Sequence, residues 1–422
     1  MLKVFLAPLS LIVLLPANPP SLLGLPQEAS RYLPKFKLPI PSRTKLKKAY
    51  LKQWYAPWMG MQTMEDLDKV FWIQETLHEP GYDKHLQPYT NAKLQEILAD
   101  MDIAHYPSVG IRAVVIADAN VRAVPTDAPY YLKDGYPFDR WQNSMIFAGT
   151  PVFITHYNKA KTYAHIQSSF VFGWVRLDKL AAVSSKQVQT FLHFRHYLTP
   201  TRDKIPLANR GVAHMGEIFI KVPHHFRQVY TYAKDTEGFV KLIPTPLHSP
   251  HFTPFPRPFT QRAMAVVIDT MLGQPYGWGG ADQKRDCSAF TRDSFASFGI
   301  LLPRNSLAQV RYANNMVDLS HLPPRKKEAY IIRHATPFAT ILWLKGHIML
   351  YLGVKHHRAI VAHNVWSVLV SKNNTYNIKK AAITTLDIGH KNAKHPPAFS
   401  LLARILGMSD LYRYAFKRPN NF

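Results

Sequence analysis

The single cysteine of this 422-residue chain, Cys287, has the side chain best suited to nucleophilic chemistry. It precedes a segment, residues 289–298, whose apolar spacing predicts a helix that closes at Gly299. The unpaired N–H groups and the dipole of a helix N-terminus favour a thiolate, so we expect a lowered pKa for the Cys287 thiol. A lone cysteine is more often a small buried hydrophobe than a catalyst. The interpretation as a thiol hydrolase therefore depends on the surrounding residues.

Two histidines downstream are candidates for a base and its orienting partner. Residues 346–363 read as two strands joined by a turn. If Leu352 pairs with Arg358, then His347 faces His363 across the antiparallel pair, with β-carbons about 4.5–5.5 Å apart. One imidazole would accept the thiol proton while the other fixes its tautomer.

Two alternatives for this region use other chemistry. A zinc site could draw on His347, His356, His357 and His363, but no cysteine or carboxylate stands at ligand spacing beside them. The glycine-rich turn at 273–280 could cradle phosphate, but it lacks the Lys-Ser/Thr pair that a nucleotide loop requires. We therefore expect neither a metal nor a cofactor.

The elements that position these residues belong to the last of several predicted domains. A helix over 261–272, with Ala263, Val266, Val267 and Met271 on its buried face, precedes the cysteine. Proline-rich runs isolate this domain from what comes before, because proline does not fit a helix interior or a central strand.

The residue patterns divide the upstream chain into a helical part and a β part. Helical periodicity at Leu67, Val70, Phe71 and Ile73 predicts a helical segment, and short β-branched and aromatic runs predict small β barrels. The expected order, of α+β fold class, is a possible signal peptide (1–17), a proline-rich linker (18–44), a helical segment (45–105), two β domains (106–183 and 184–243), a proline-rich linker (244–259), the domain of Cys287 (260–394) and a C-terminal tail (395–422).

Composition limits the partners. The formal charge of +25 and the pI near 9.9 predict attraction to polyanions such as nucleic acid, anionic lipid or an acidic wall polymer. We see no zinc-finger spacing and no aromatic-basic signature of an RNA-binding sheet, so nucleic acid is not expected. One cysteine excludes an intramolecular disulfide, and the absence of a cysteine near residue 20 argues against a lipid anchor. No later apolar run is long enough for an integral membrane segment.

Several motifs carry a specific resemblance. Asn120-Val121-Arg122, Gly149-Thr150-Pro151-Val152 and Gly173-Trp174-Val175 look like the landmarks of bacterial SH3 domains, and Gly238-Phe239-Val240 looks like a second closing landmark. Tyr276-Gly-Trp278-Gly-Gly, Asp286-Cys287-Ser288, Pro303-Arg304-Asn-Ser, Gly346-His347 and Ala362-His363 resemble, in order and separation, the NlpC/p60 family of papain-like cysteine peptidases. The chain as a whole is similar to multidomain members with an N-terminal helical segment and SH3 domains.

The resemblance implies a catalytic triad of Cys287, His347 and His363. It implies hydrolysis of the bond between γ-D-glutamate and the diamino acid of peptidoglycan stem peptides. It also implies that an SH3-like domain walls the cleft and restricts substrates to short peptides with a free N-terminal L-alanine. The residues that it assigns to oxyanion assistance or the substrate cleft are Tyr276, Trp278, Asp286, Ser288 and Arg304.

Other readings remain open. Tyr276 could be a core aromatic residue and Asp286 a helix N-cap. The chain departs from the family pattern at two places: Lys284-Arg285 replaces the usual glycine before the Asp-Cys-Ser group, and Ala289 replaces the usual glycine after Cys-Ser. Neither change touches a catalytic atom, so both bear on which substrate fits more than on the type of reaction. The same fold could serve an amidase or acyltransferase, or a non-catalytic wall-binding protein. We expect export to the periplasm or cell envelope, with cytoplasmic recycling as the alternative.

Overall fold

The computed structural model describes residues 25–73, 81–133, 135–390 and 397–417. The possible signal peptide at 1–17 lies outside the described residues. The helices are α1 (Arg43–Trp54), α2 (Leu67–Val70), α3 (Asn91–Asp100), α4 (Ser185–His193), α5 (Gln261–Met271), α6 (Cys287–Ala296), α7 (Ser306–Arg311), α8 (Pro324–His334), α9 (Leu401–Arg404) and α10 (Leu411–Lys417). None of the helices in these ranges is both long and apolar enough to cross a membrane.

The strands follow the helical N-terminal segment and recur in the last domain. They are β1 (Ile111–Val115), β2 (Ala119–Arg122), β3 (Gln142–Ile146), β4 (Pro151–Tyr157), β5 (Tyr163–Gln167), β6 (Phe172–Arg176), β7 (Leu180–Ala182), β8 (Tyr197–Pro200), β9 (Ile205–Leu207), β10 (Gly211–Ala213), β11 (Phe219–Ile220), β12 (Gln228–Lys234), β13 (Val240–Pro246), β14 (Phe252–Pro254), β15 (Val317–Asp318), β16 (Thr340–Leu344), β17 (His347–Lys355), β18 (Arg358–Ser371), β19 (Asn374–Thr385) and β20 (Gly407–Asp410).

The described part of the predicted proline-rich linker (18–44) is docked against the last domain. Leu25, Ala29 and Tyr32 are buried in the same core as α5 and α6. The Gln27 side chain accepts from the Ile383 N–H and donates to the Ile383 carbonyl, both at 2.9 Å. This segment therefore satisfies backbone groups of β19 at the edge of the last sheet.

The helical segment packs against the first β domain. Val70, Phe71 and Ile73 are buried there, whereas Leu67 is 42% exposed, so the predicted apolar face is correct in three positions and wrong in one. The Trp58 indole donates to the Ala113 carbonyl of β1 at 2.8 Å. A short helix here stays folded because tertiary packing, more than intrinsic propensity, holds it.

Two β units follow. The first β unit (β1–β7) is one seven-stranded sheet, in the order β3-β2-β6-β5-β4-β1-β7. The second β unit (α4 and β8–β14) consists of three small sheets of two or three short strands. Pro244 and Pro246 lie in β13 and Pro254 in β14, so the predicted linker at 244–259 is partly strand. Both strands have a single pairing partner, which is where prolines are tolerated.

The last domain is a six-stranded sheet, β15-β20-β16-β17-β18-β19, covered by α5 and α6. In α5, Val267 and Met271 are buried as predicted, but Val266 is 43% exposed, because Met264, Ala265 and Ile268 form the apolar face instead. The predicted C-terminal tail is wrong as a separate element. Its strand β20 pairs with β16 in the middle of the sheet.

Candidate active site

Cys287 is the first residue of α6, as predicted. Asp286 is its N-cap, with Oδ1 accepting from the Ala289 N–H at 2.8 Å. Phe290 and Phe295 anchor the helix in the core, which fixes the position of the thiol at its start. The backbone of Ile348, on β17, acts against the rise of the Cys287 pKa that burial causes.

His347 and His363 are brought together, but by a register other than the predicted one. The turn consists of two residues, His356 and His357, both at positive φ, and the pairing shifts at Leu352 in a bulge. Beyond the bulge Leu350 pairs with Ala362, so His363 continues opposite the residue two positions after His347. The two imidazoles are therefore diagonal neighbours instead of a facing pair.

The diagonal arrangement still allows direct contact. His347 Nε2 and His363 Nδ1 are 2.8 Å apart, and His363 Nε2 lies 3.1 Å from Thr384 Oγ1 on β19. Because Nε2 of His347 is occupied by His363, Nδ1 is the ring nitrogen of His347 that takes no part in this contact. Thr384 was not predicted, since nothing near it in sequence marks it and only its pairing with Val361 places it beside His363.

Burial governs the protonation of these groups. Burial and the Asp286 carboxylate raise the pKa of the Cys287 thiol to about 12, so the predicted lowering of that pKa is wrong. Burial and the positive charge of Arg404 lower the pKa of His347 to about 4. Burial and the neighbouring His347 hold the pKa of His363 well below its usual range. These pKa shifts favour a neutral thiol and neutral imidazoles at neutral pH.

A cleft of about 570 Å³ opens over the thiol, between the last domain and the first β unit. All five predicted substrate-binding residues line it: Tyr276, Trp278, Asp286, Ser288 and Arg304. The first β unit contributes the facing wall: Gln142, Asn143, Ser168, Phe170 and Phe172. A larger groove, about 680 Å³, lies between α1 and the end of α4 and contains none of these residues.

The alternative zinc site does not assemble. His356 and His357 form the hairpin turn, at the opposite end of β17 from His347. In the described ranges no three histidine, cysteine or acidic side chains are grouped as metal ligands.

Three family models match this chain. They are the NlpC/P60 family at residues 273–379, the N-terminal NLPC_P60 stabilising domain at 6–106 and the SH3b1-type SH3 domain at 127–176. The chain is an NlpC/P60 protein. The predicted family and fold class are confirmed, together with an SH3 domain in the first β unit. That the second β unit is also an SH3 domain stays a prediction.

Two solved structures resemble this chain to different extents. A structure described as a novel NlpC/P60 endopeptidase from Photobacterium damselae subsp. piscicida is 24% identical, with TM-score 0.82 over 92% of this chain and 97% of that one. At this identity the likeness concerns the fold. An NlpC/P60 family protein from Bacillus cereus is 13% identical over 71% of this chain and 99% of that one, with TM-score 0.45. No curated protein matches the chain.

In this NlpC/P60 domain the predicted substrate-binding residues also bond to one another. Arg304 donates to both oxygens of Asp286, at 2.9 and 2.6 Å, and to the Ser288 hydroxyl. It donates further to Ser144 Oγ of β3 at 3.0 Å. Burial alone would raise the pKa of Asp286, but the Arg304 guanidinium holds it below its usual range. Arg304 thus neutralises Asp286 and ties the cleft floor to the first β unit.

Tyr276 and Trp278 lie on the glycine-rich turn. Tyr276 is buried beside Cys287, and desolvation raises the pKa of its hydroxyl well above its usual value. A Cβ on Gly279, at φ +59°, would meet Gln142 at 2.5 Å, and its carbonyl accepts from the Gln142 amide at 3.2 Å. Glycine at this position therefore allows the turn to lie directly on β3.

Proposed function

We propose that this NlpC/P60 protein is a peptidoglycan hydrolase, a cysteine endopeptidase that cleaves between γ-D-glutamate and the diamino acid of cell-wall stem peptides. The observation that carries the proposal is the 2.8 Å contact between His347 and His363, because His347 begins β17, the strand that packs against the helix of the cleft-lining Cys287. This arrangement supports a Cys287, His347, His363 triad, in which each group orients the next.

The reaction begins from neutral groups. His347 Nδ1 accepts the Cys287 proton as the sulfur attacks the γ-glutamyl carbonyl carbon, and the imidazolium formed is held by His363. The oxyanion would be held by the Cys287 N–H, which has no intrahelical partner at the first helical position, and by the Tyr276 hydroxyl. His347 then gives the proton to the leaving amine as the C–N bond breaks. Water attacks the thioester in the second half-reaction, releasing the carboxylate and the thiol.

We infer that the substrates are short peptides with a free N-terminal L-alanine. The first β unit closes one side of the cleft, and a volume of about 570 Å³ suits a small ligand better than a cross-linked polymer. The excess of basic residues, +25 for the chain, would assist approach to an anionic envelope. Diaminopimelate is the diamino acid we would test first.

The direct test is to incubate the purified chain with L-Ala-γ-D-Glu-diaminopimelate and to measure released L-Ala-D-Glu by mass spectrometry. We expect release by the unmodified chain, none by Cys287→Ala, and none from the same peptide acetylated at its N-terminus. Ser320→Ala, on an exposed turn away from the cleft, is the matched control and should cleave normally.

The two alternatives give different failures. If the peptide is not cleaved but iodoacetamide labels Cys287, the fold serves an amidase or acyltransferase with another substrate. If Cys287 is also unreactive, the chain is a non-catalytic wall-binding protein. Acceptance of the acetylated peptide would overturn the requirement for a free N-terminus.

We further propose that the protein acts after export, in the periplasm or cell envelope. The apolar run from Val4 to Leu15 and the wall substrate support this. Fractionation of producing cells should recover the protein outside the cytoplasm, and its recovery in the cytoplasm alone would favour recycling of wall fragments.

A further inference from the structure

Arg285, immediately before the N-cap of the cysteine helix, is buried and has its side chain turned away from the cleft. Its guanidinium donates to both carboxylate oxygens of Asp203, at 2.7 and 2.8 Å, and to Asp293 Oδ2 at 2.7 Å. Its side chain is 5% exposed and those of Asp203 and Asp293 are 1% and 3% exposed. Asp293 lies on α6, whereas Asp203 belongs to the second β unit.

The main chain of Arg285 joins two other parts of the site. Its carbonyl accepts from the Gly277 N–H at 2.8 Å, on the turn between Tyr276 and Trp278. The same carbonyl accepts from the Asn364 amide at 2.9 Å, and Asn364 follows His363 on β18. Arg285 therefore bonds to three parts of the site: the glycine-rich turn that carries Tyr276, the strand β18 that carries His363, and the helix α6 that begins with Cys287.

Asp203 is itself held firmly by the second β unit. Its Oδ1 accepts from the Met215 N–H at 2.7 Å. Burial alone would raise the pKa of this carboxyl, but the Arg285 charge holds it well below its usual range, so it is ionised at neutral pH. Beside it, Gly216 at φ +91° lies so close to α6 that a Cβ would meet Asp293 Cα at 2.8 Å. The second β unit thus reaches the cysteine helix through an ion pair and a backbone contact.

A buried bidentate ion pair is sensitive to the loss of one partner. Removing a carboxylate leaves the guanidinium buried with less compensation, and it moves or draws in water. Since Arg285 is two residues from Cys287, that movement would reach the thiol, and catalytic geometry tolerates little displacement. Lys284-Arg285 replaces the glycine that the family resemblance leads us to expect before the Asp-Cys-Ser group.

We propose that the second β unit positions the nucleophile: Asp203, through Arg285, sets the place of Cys287 relative to His347 and the oxyanion donors. Asp203 and Arg285 are positioning residues and contact no substrate. The effect on peptide cleavage rests on the function proposed above. The effect on thiol reactivity does not, because Cys287 is the only cysteine and alkylation reports on it alone.

A matched control exists where the two β units contact each other. Asp118 of the first β unit pairs with Arg210 at 2.6 Å, with side chains 10% and 4% exposed. This pair is comparably buried and also joins two units. Neither residue lines the cleft or bonds to Arg285, and Asp118 also lies 3.2 Å from His214 Nε2, so Asp118→Asn should lose stability while the Asp203–Arg285 pair stays intact.

The experiment compares Asp203→Asn with Asp118→Asn in the full chain. The measurements are the iodoacetamide rate at Cys287 at pH 9, kcat and KM for the tripeptide, and Tm. We expect Asp203→Asn to slow alkylation and lower kcat by about ten- to a hundredfold with KM within about twofold. Asp118→Asn should keep the alkylation rate and kcat within about twofold of the unmodified chain, while its Tm falls by about as much as that of Asp203→Asn. Asp203→Glu, which retains the charge, should recover part of the rate.

Other outcomes overturn the proposal. Equal losses in both Asn variants would mean that Asp203 acts only through stability, and unchanged alkylation and kcat in Asp203→Asn would mean that the pair has no part in positioning. If Asp203→Asn does not fold, Asp203→Glu decides, because a longer acid must displace Arg285. An alkylation rate for Asp203→Glu equal to that of the unmodified chain would also overturn the proposal. If the unmodified chain cleaves no peptide, the proposed function fails, while the alkylation comparison still gives its answer.

Discussion

The two β units dock on the same stretch of the NlpC/P60 domain, residues 277–304, in different ways. The first β unit supplies wall residues of the cleft, including Phe172, and its Ser144 bonds to Arg304 on the cleft floor. Among the described lining residues, none comes from the second β unit. That unit instead presents Asp203 and Gly216 to the buried back of the site. The first β unit therefore borders the cleft, whereas the second contacts the cysteine helix from behind.

The largest expected effect is a loss of stability in Arg304→Met, at the contact between the cleft floor and the first β unit. This substitution removes the cation that pairs with the buried Asp286. An unpaired buried carboxylate costs about 3–5 kcal/mol, so the urea unfolding free energy should fall by that amount. Arg176→Met is the control, because Arg176 is half exposed in its pairs with Asp127 and Asp178 and should cost less than about 1 kcal/mol. A stable Arg304→Met protein with only a raised KM would show that Arg304 serves substrate alone.

The next prediction concerns the burial that the surrounding units impose on the thiol. With the pKa of Cys287 raised to about 12, the thiolate fraction is small at neutral pH and grows as pH rises. The pKa of His347, lowered to about 4, leaves no imidazolium to stabilise a thiolate above that pH. Iodoacetamide labelling of Cys287 should therefore rise about tenfold per unit from pH 7 to 10.

A free thiol is the reference for that profile, since its rate should level off above its ordinary pKa of about 8.5. A plateau for Cys287 near neutral pH would instead indicate a thiolate–imidazolium pair in the resting enzyme. It would also mean that the two β units do not keep the site dry.

Two phenylalanines, one in each β unit, test whether only the first β unit contacts the substrate. Phe172 of the first β unit lines the cleft, whereas Phe226 of the second is 90% exposed elsewhere. Phe172→Ala should raise KM for the tripeptide roughly five- to tenfold, from about 1 kcal/mol of lost apolar contact, with kcat unchanged. Phe226→Ala should alter neither. A fall in kcat at Phe172 without a change in KM would blur the distinction between the two units.

Features of the site that are local in sequence could be predicted, whereas contacts made by the β units could not. The helix start at Cys287, its Asp286 cap and the glycine turn are local features, so the spacing of residues along the chain indicates them. The Asp203–Arg285 pair spans 82 positions and carries no periodic signal. The lowered thiol pKa was predicted from the helix end alone, and it was wrong because burial and the adjacent Asp286 carboxylate outweigh the dipole.

The hairpin register failed for a different reason. A two-residue turn at His356 and His357 requires positive φ at both residues, although neither is the glycine or asparagine that usually marks such a turn, and the bulge at Leu352 lies directly before Gly353, at φ +136°. The histidine contact was nevertheless anticipated, because diagonal neighbours on one face also lie within side-chain reach. The four-residue strand β20 was missed because its Ser409 and Asp410 read as tail residues.

The smallest expected effect lies where neither β unit contacts the site. Thr384→Val removes the hydroxyl 3.1 Å from His363 Nε2 and keeps the side-chain shape. The loss of one hydrogen bond, about 1 kcal/mol, should lower kcat three- to tenfold, because His363 then fixes the tautomer of His347 less well. Thr385→Val, on the opposite face of β19, is the control. An effect as large as that of Asp203→Asn would place the main control of geometry in the histidine strands, and the positioning role of the second β unit would become secondary.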